Sequence, residues 1–184
     1  MTTLVFCLEE PSARAMLQGV LPRLLDGDIE VKYIVFEGKQ DLHKQLVKRL
    51  RHWQQPDSYF VIMRDQDSGD FNVIQSELHE LCVQAGRVDA LVKIACRELE
   101  SFYLGDLAAV EAGLSIKGIS RQQTNKKYRD PDALVNASEE MFKITKGRYQ
   151  KLLGSRSIGP HLKLDDSNTS RSFCDLIHSL ALVK

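Results

Sequence analysis

Four short apolar runs, each stopped by charged residues, constrain this chain more than anything else in it. Leu4-Val5-Phe6-Cys7-Leu8 stops at Glu9-Glu10, and Val31 to Phe36 stops at Glu37-Gly38. Tyr59 to Met63 stops at Arg64-Asp65-Gln66-Asp67-Ser68-Gly69-Asp70, and Ala90 to Cys96 stops at Arg97-Glu98-Leu99-Glu100. The first run, Leu4 to Leu8, is continuous, as suits a central parallel strand buried on both faces. Between the runs lie segments of helical period. Met16, Leu17, Val20, Leu21 and Leu24 follow the first run, with Ser12 as the expected N-cap and Pro22 as a break. Leu42, Leu46, Leu50 and Trp53 follow the second, capped by Asp41; Ile74, Leu78, Leu81 and Cys82 follow the third, ended by Gly86. Strand and helix in alternation predict parallel βαβ units with right-handed crossovers.

A parallel sheet puts the carboxyl ends of all its strands on one edge, where α/β proteins bind ligands. The acids that stop the runs therefore converge on one rim: Glu9 and Glu10, then Asp65, Asp67 and Asp70, then Glu98 and Glu100. Asp65 and Asp67, two apart on extended chain, point the same way. Convergent carboxylates repel, and a hard divalent cation, Mg²⁺ or Mn²⁺, relieves them. A solvated Asp/Ser/Gly turn is the competing reading of the third run's end. Ion pairing by Arg64 and Arg97 would compete with the metal, and Glu37 reads equally as a ligand or as a solvated loop acid.

From Gly113 the composition shifts. Lys126-Lys127-Tyr128-Arg129 is basic, with a ring available for base stacking, and reads as a nucleic-acid contact or a solvated charge run. Asp132 is expected to cap a short helix, and Met141, Ile144 and Tyr149 suggest another. Residues 154–161, Gly-Ser-Arg-Ser-Ile-Gly-Pro-His, read as a loop whose Arg156 and His161 either approach a phosphate or pack the loop. Phe173, Ile177, Leu180 and Ala181 make a final amphipathic helix. This last third lacks the apolar mass for a core of its own. The division expected is a core of residues 1–112 and a helical extension of 113–184 packed on it. His43, His52, His79 and His178 fall on helices and receive no chemical role.

With 25 basic and 25 acidic side chains, no global field attracts nucleic acid, so such a contact needs a local patch. The four cysteines form no CxxC pair, which argues against a zinc or redox motif and for a reducing compartment. With no basic leader and no bilayer-length apolar stretch, a cytoplasmic location is expected.

The order strand-Glu, helix, strand, helix, strand-Asp-x-Asp resembles the Toprim fold of topoisomerases, primases and related nucleases. Over nearly the whole chain, the stretches 36–39, 64–70, 97–106 and 154–161 resemble the domain-of-unknown-function 4276 family, a bacterial group described as Toprim-like. The resemblance implies a mostly parallel, Rossmann-like sheet of about four strands with helices on both faces. It also implies an Mg²⁺-dependent nuclease or phosphoryl-transfer domain, with Glu9, Asp65 and Asp67 as the matching acids. In one departure, Glu10 stands where Toprim proteins usually carry glycine; it either crowds the metal or is itself a ligand. Related nucleases act with an ATPase in bacterial defence, which implies nucleic acid and an ATPase as partners. A non-catalytic interaction module on the same fold is the alternative. A phosphorylation receiver also places acids at strand ends, but it needs a lysine closing a fifth strand, and Lys93 lies within the fourth.

Overall fold

A computed structural model describes residues 2–183. In chain order come β1 (Thr3–Leu8), α1 (Pro11–Val20), β2 (Glu30–Val35), α2 (Lys39–Arg51), β3 (Ser58–Asp65) and α3 (Phe71–Gln84). Then follow β4 (Leu91–Ala95), α4 (Glu100–Leu104), α5 (Leu107–Gly113), α6 (Ala137–Ile144), α7 (Lys151–Ile158) and α8 (Arg171–Ala181). The four strands form one sheet in the order β2-β1-β3-β4, and all three pairings are parallel. This is an α/β fold of Rossmann-like type.

Alternation along the central strands sends side chains to two faces. Leu4, Phe6, Leu8, Val61 and Met63 enter a core built with α1 and α4 to α8. Val5, Cys7, Phe60 and Ile62 enter a second core, closed by Leu42, Leu46 and Leu50 of α2 and Ile74, Leu78 and Cys82 of α3. Residues from 113 onward contribute Tyr128, Met141, Ile158, Phe173 and Leu180 to the first core. The last third of the chain thus completes, with α1, α4 and α5, one of the sheet's two covering layers. Lys93 of β4 fastens α8 to the sheet through Asp175 (2.8 Å) and Ser179 (2.5 Å). On the opposite side, β2 is an edge strand carrying Glu30 and Lys32.

Several local expectations need correction. The N-cap of α1 is Glu10, not Ser12. Pro11 takes the first helical position, where its missing N–H costs nothing, and Ser12 is buried and donates to Glu10 Oε1 at 2.5 Å. Pro22, as expected, shortens the helix, which ends at Val20 and passes into a 3-10 turn at Leu21–Arg23. Helix α2 starts at Lys39, and the Asp41 carboxylate reaches back to the Glu37 N–H (3.1 Å). Asp132 caps α8 from a distance, accepting from the Ser172 N–H (2.8 Å) and the Ser170 hydroxyl (2.6 Å).

The largest difference is residues 154–161, which are helical throughout: the end of α7 and a 3-10 turn at Gly159–His161. Their glycines serve contact rather than chain reversal. A Cβ on Gly159 would stand 2.6 Å from the Met16 carbonyl oxygen of α1, and one on Gly154 would stand 2.5 Å from the Tyr149 ring.

Candidate functional site

The rim beyond β1 and β3 is built by main-chain contacts as much as by side chains. The Asp65 N–H donates to Glu9 Oε2 at 3.1 Å, so the first and third strand ends are joined through a carboxylate. Gln66 N–H donates to the Ala95 carbonyl (2.9 Å) and Asp67 N–H to the Arg97 carbonyl (2.7 Å), which ties the ends of β3 and β4 together. Asp67 and Arg97 both take left-handed backbone conformations, φ 54° and 65°. Because the chain turns at Asp67 instead of staying extended, Asp65 and Asp67 do not point the same way. That corrects the expectation drawn from their spacing.

The two aspartates have different company. Asp65 is buried with the carboxylates of Glu10, Glu100 and Glu9 around it. Desolvation first, then those three charges, push its carboxyl well above the ordinary aspartate range, against one backbone N–H from Leu99. Asp67 faces cations: Lys39 Nζ at 2.7 Å and Arg64 Nη2 at 3.8 Å. Glu9 sits between the two groups. Burial raises its pKa, Asp65 N–H and Arg64 oppose the rise, and Asp67 and Glu10 add to it. Arg64 is itself buried and forks over the boundary. Its Nε donates to the Asp65 carbonyl (2.8 Å) and lies 3.8 Å from Glu9 Oε2.

Glu100, the first residue of α4, has no exposed surface. Tyr149 donates its hydroxyl to Oε1 at 2.8 Å, while Oε2 is buried without a hydrogen-bond partner. Desolvation raises Glu100, and the nearby Lys151 and the Tyr149 hydroxyl oppose it. Lys151 opens α7, with Nζ 3.5 Å from Glu10 Oε2. Partial burial pulls its pKa down, but Glu100, Glu10 and Asp65 outweigh that and hold it above the ordinary lysine value. Tyr149 leans over Gly154 to reach Glu100, and beside it Tyr103 donates to Ser155 Oγ at 2.7 Å.

The remaining candidates lie apart from this cluster. Asp70 is the N-cap of α3, accepting from the Val73 N–H at 3.0 Å, and is exposed. Both oxygens of Glu98 are taken by Ser138, through its N–H (2.7 Å) and hydroxyl (3.0 Å), so Glu98 caps the start of α6. Glu37 is exposed and lines a cleft with Asp41 and Gln45 along α2. Arg156 and His161 are exposed on α7 and the turn after it. In the basic stretch Lys126 and Arg129 are exposed and Lys127 pairs with Glu140 at 2.6 Å. Tyr128 is fully buried, its hydroxyl on Glu140, so the stacking role expected of its ring is excluded. Sequence reasoning missed Lys151 and Tyr149, which come from the far end of the chain. It missed Lys39 as a partner of Asp67, although Lys39 lies in a stretch that carried the resemblance.

The donors gathered at Asp65, Glu9, Glu10 and Glu100 are all hard oxygens, which suits Mg²⁺ or Mn²⁺. One ammonium, Lys151, stands against this excess of negative charge, and one buried carboxylate oxygen is unpartnered. Among the described residues, no three His, Cys, Asp or Glu side chains are already arranged around a common point for an ion. The residues fit a divalent cation in the chemistry of their oxygens and not in a ready-made geometry.

A family model, Domain of unknown function (DUF4276), matches residues 8–181. The chain belongs to the DUF4276 family. Its members' model spans every element from the end of β1 to α8, so the acid rim and the α7 residues that complete it both lie within the DUF4276 match. No curated protein and no solved structure is significantly similar to the chain. Among the described residues, no helix is long and apolar enough to cross a membrane.

Proposed function

We propose that this DUF4276 protein is an Mg²⁺- or Mn²⁺-dependent phosphoryl-transfer enzyme of Toprim-like type that hydrolyses phosphodiesters in nucleic acid. One observation carries the reading. Asp65 is buried among three further carboxylates, and Glu100 keeps an unpartnered oxygen in the interior. Removing charge from water without compensation is costly, and a purely structural role does not require such a cluster. Asp65, Glu9, Glu10 and Glu100 would hold the cation. When bound, such a cation polarises a phosphoryl oxygen and lowers the pKa of water.

The chain's own residues divide the remaining work. Arg64 and Lys39, beside Asp67, present charge-assisted donors to phosphate oxygens. Lys151 pairs with the Glu10 carboxylate and partly offsets the charge of Glu100. Glu9 would act as base for the attacking water only where it does not itself hold the cation. Tyr149 fixes Glu100 from behind.

Calorimetric titration of Mg²⁺ and Mn²⁺ tests this. The wild type is expected to bind, the Asp65→Ala/Asp67→Ala variant to lose at least about tenfold in affinity, and Glu98→Gln to match the wild type. Equal affinity in wild type and double variant overturns the metal reading.

A second reading has one observation in its favour: Arg64 and Lys39 already occupy Asp67, and Arg64 approaches Glu9. On this reading the fold is an interaction module without catalysis, and an ATPase partner is its natural ally. Recovery of such a partner, with no cleavage of DNA or RNA at any metal concentration, favours it. For either reading we place the protein in the cytoplasm, where its four free cysteines stay reduced.

A further inference from the structure

Next to the acid cluster, on the α2 side of the sheet, lies an open groove of about 630 Å³ lined by Lys39, Gln40, His43, Lys44, Arg64 and Leu81. Its charge is opposite to that of the rim it adjoins. Lys39 and Arg64 share the single carboxylate of Asp67 on that side, and Arg64 also approaches Glu9. Among the described residues, no acid lies within ion-pair distance of Lys44. Arg64 is buried, and its Nη1 lies 3.2 Å from His43 Nε2. Burial first, then the Arg64 charge, lower the His43 pKa, against Glu77 of α3. His43 is therefore a neutral ring that accepts at Nε2, which leaves its Nδ1–H free to donate.

A polyanion does not approach buried carboxylates unaided, because the same charges that would hold a cation repel phosphate. A cationic track that begins beside the acids removes that obstacle. The groove supplies two kinds of contact: exposed ammonium groups at Lys39 and Lys44, and a guanidinium at Arg64 that is buried and fixed by its hydrogen bonds. Its volume suits a ligand of small-molecule size, comparable to one nucleotide unit.

We propose that this groove binds the sugar-phosphate backbone of a single nucleic-acid strand, with Lys39, His43, Lys44 and Arg64 on the phosphates. The groove delivers the adjacent phosphodiester to the acids. This inference rests on the function proposed above and names the surface by which the substrate is held. It displaces the stretch 126–129, whose ring is buried and whose Lys127 is paired, as the contact surface.

The test is fluorescence anisotropy with fluorescein-labelled single-stranded DNA and RNA oligonucleotides, with Ca²⁺ replacing Mg²⁺ to prevent turnover. Lys39 and Lys44 are exposed, so their replacement leaves the fold intact, and circular dichroism checks this. Lys44→Glu and Lys39→Ala/Lys44→Ala are expected to raise the Kd about tenfold or more. The double alanine variant is expected to lower the slope of log K against log salt by about 2, near one per lost phosphate contact. Lys126→Ala/Arg129→Ala is expected to bind like the wild type. Unchanged affinity in the groove variants, a loss confined to the Lys126/Arg129 variant, or no binding by the wild type each overturns the proposal. If the groove variants weaken binding while the wild type cleaves nothing in Mg²⁺ or Mn²⁺, the groove stands and the hydrolase reading falls.

Discussion

Asp65 sets the energetics of the site. Its folded-state pKa lies above that of the unfolded chain, and those of Glu9 and Glu100 are raised too. Over the pH range between unfolded and folded values, the native protein holds protons that the unfolded chain has released. Stability from these groups is therefore complete at and below the ordinary carboxylate range and is lost as pH rises through the raised values. Urea midpoints of the metal-free protein are expected to show this as a difference between wild type and Asp65→Asn. The two should be close near pH 4. By about pH 8 the amide variant should be the more stable of the two. A difference that shrinks with rising pH would contradict the buried-charge account. The placement of Asp65, Glu9, Glu10 and Glu100 on one rim was legible in the sequence, because acids that stop parallel apolar runs must share an edge. The separation of Asp65 from Asp67 was not legible, because it depends on a left-handed residue held by the Arg97 carbonyl in the turn after β4. Asp70 and Glu98 misled for a related reason. A carboxylate near a strand end serves a helix N-terminus as readily as a cation.

At the scale of elements, the contact between α1 and α7 brings the last part of the chain to the rim. Lys151 and Tyr149 reach Glu10 and Glu100 because α7 lies close against α1, and glycines make that approach possible. A Cβ at Gly159 would be 2.6 Å from Met16 oxygen, and one at Gly19 would be 2.5 Å from the Pro160 ring. Gly159→Ala is expected to cost about 1–3 kcal/mol, as overpacking does, and to weaken metal binding by shifting α7. Gly27→Ala, with nothing within 4 Å of the new methyl, is the control and should stay within about 0.5 kcal/mol of wild type. Thermal denaturation of the two variants distinguishes a contact glycine from a turn glycine. Residues 154–161 looked like a loop because glycine and proline usually punctuate the chain. Here the small residues answer to a neighbouring helix, and single-sequence periodicity carries no record of that neighbour. Strands fared better. All four were read near their observed positions; in β1 and most of β3, burial on both faces writes itself into a run of adjacent apolar residues.

Over the whole molecule, a formal charge of zero conceals a division. The carboxyl edge of the sheet holds a cluster of carboxylates on the α1 and α7 side and a positive groove on the α2 side, with Arg64 between them. Composition alone could not reveal this, because the two regions cancel in the total. The sheet is equally asymmetric across its width. Helix α8 lies against β4, whereas β2 forms the other margin and bears Lys32 at its middle, held by Gln55 and Glu30. That lysine has a consequence for self-association. An outer strand with free amide and carbonyl groups is a template on which another chain can add, and a charge in its centre discourages the addition. Lys32→Val is expected to fold as before and then to polymerise on standing, seen as rising light scattering and thioflavin fluorescence. Clear solutions of that variant at the same concentration would show that the margin is guarded by something other than Lys32.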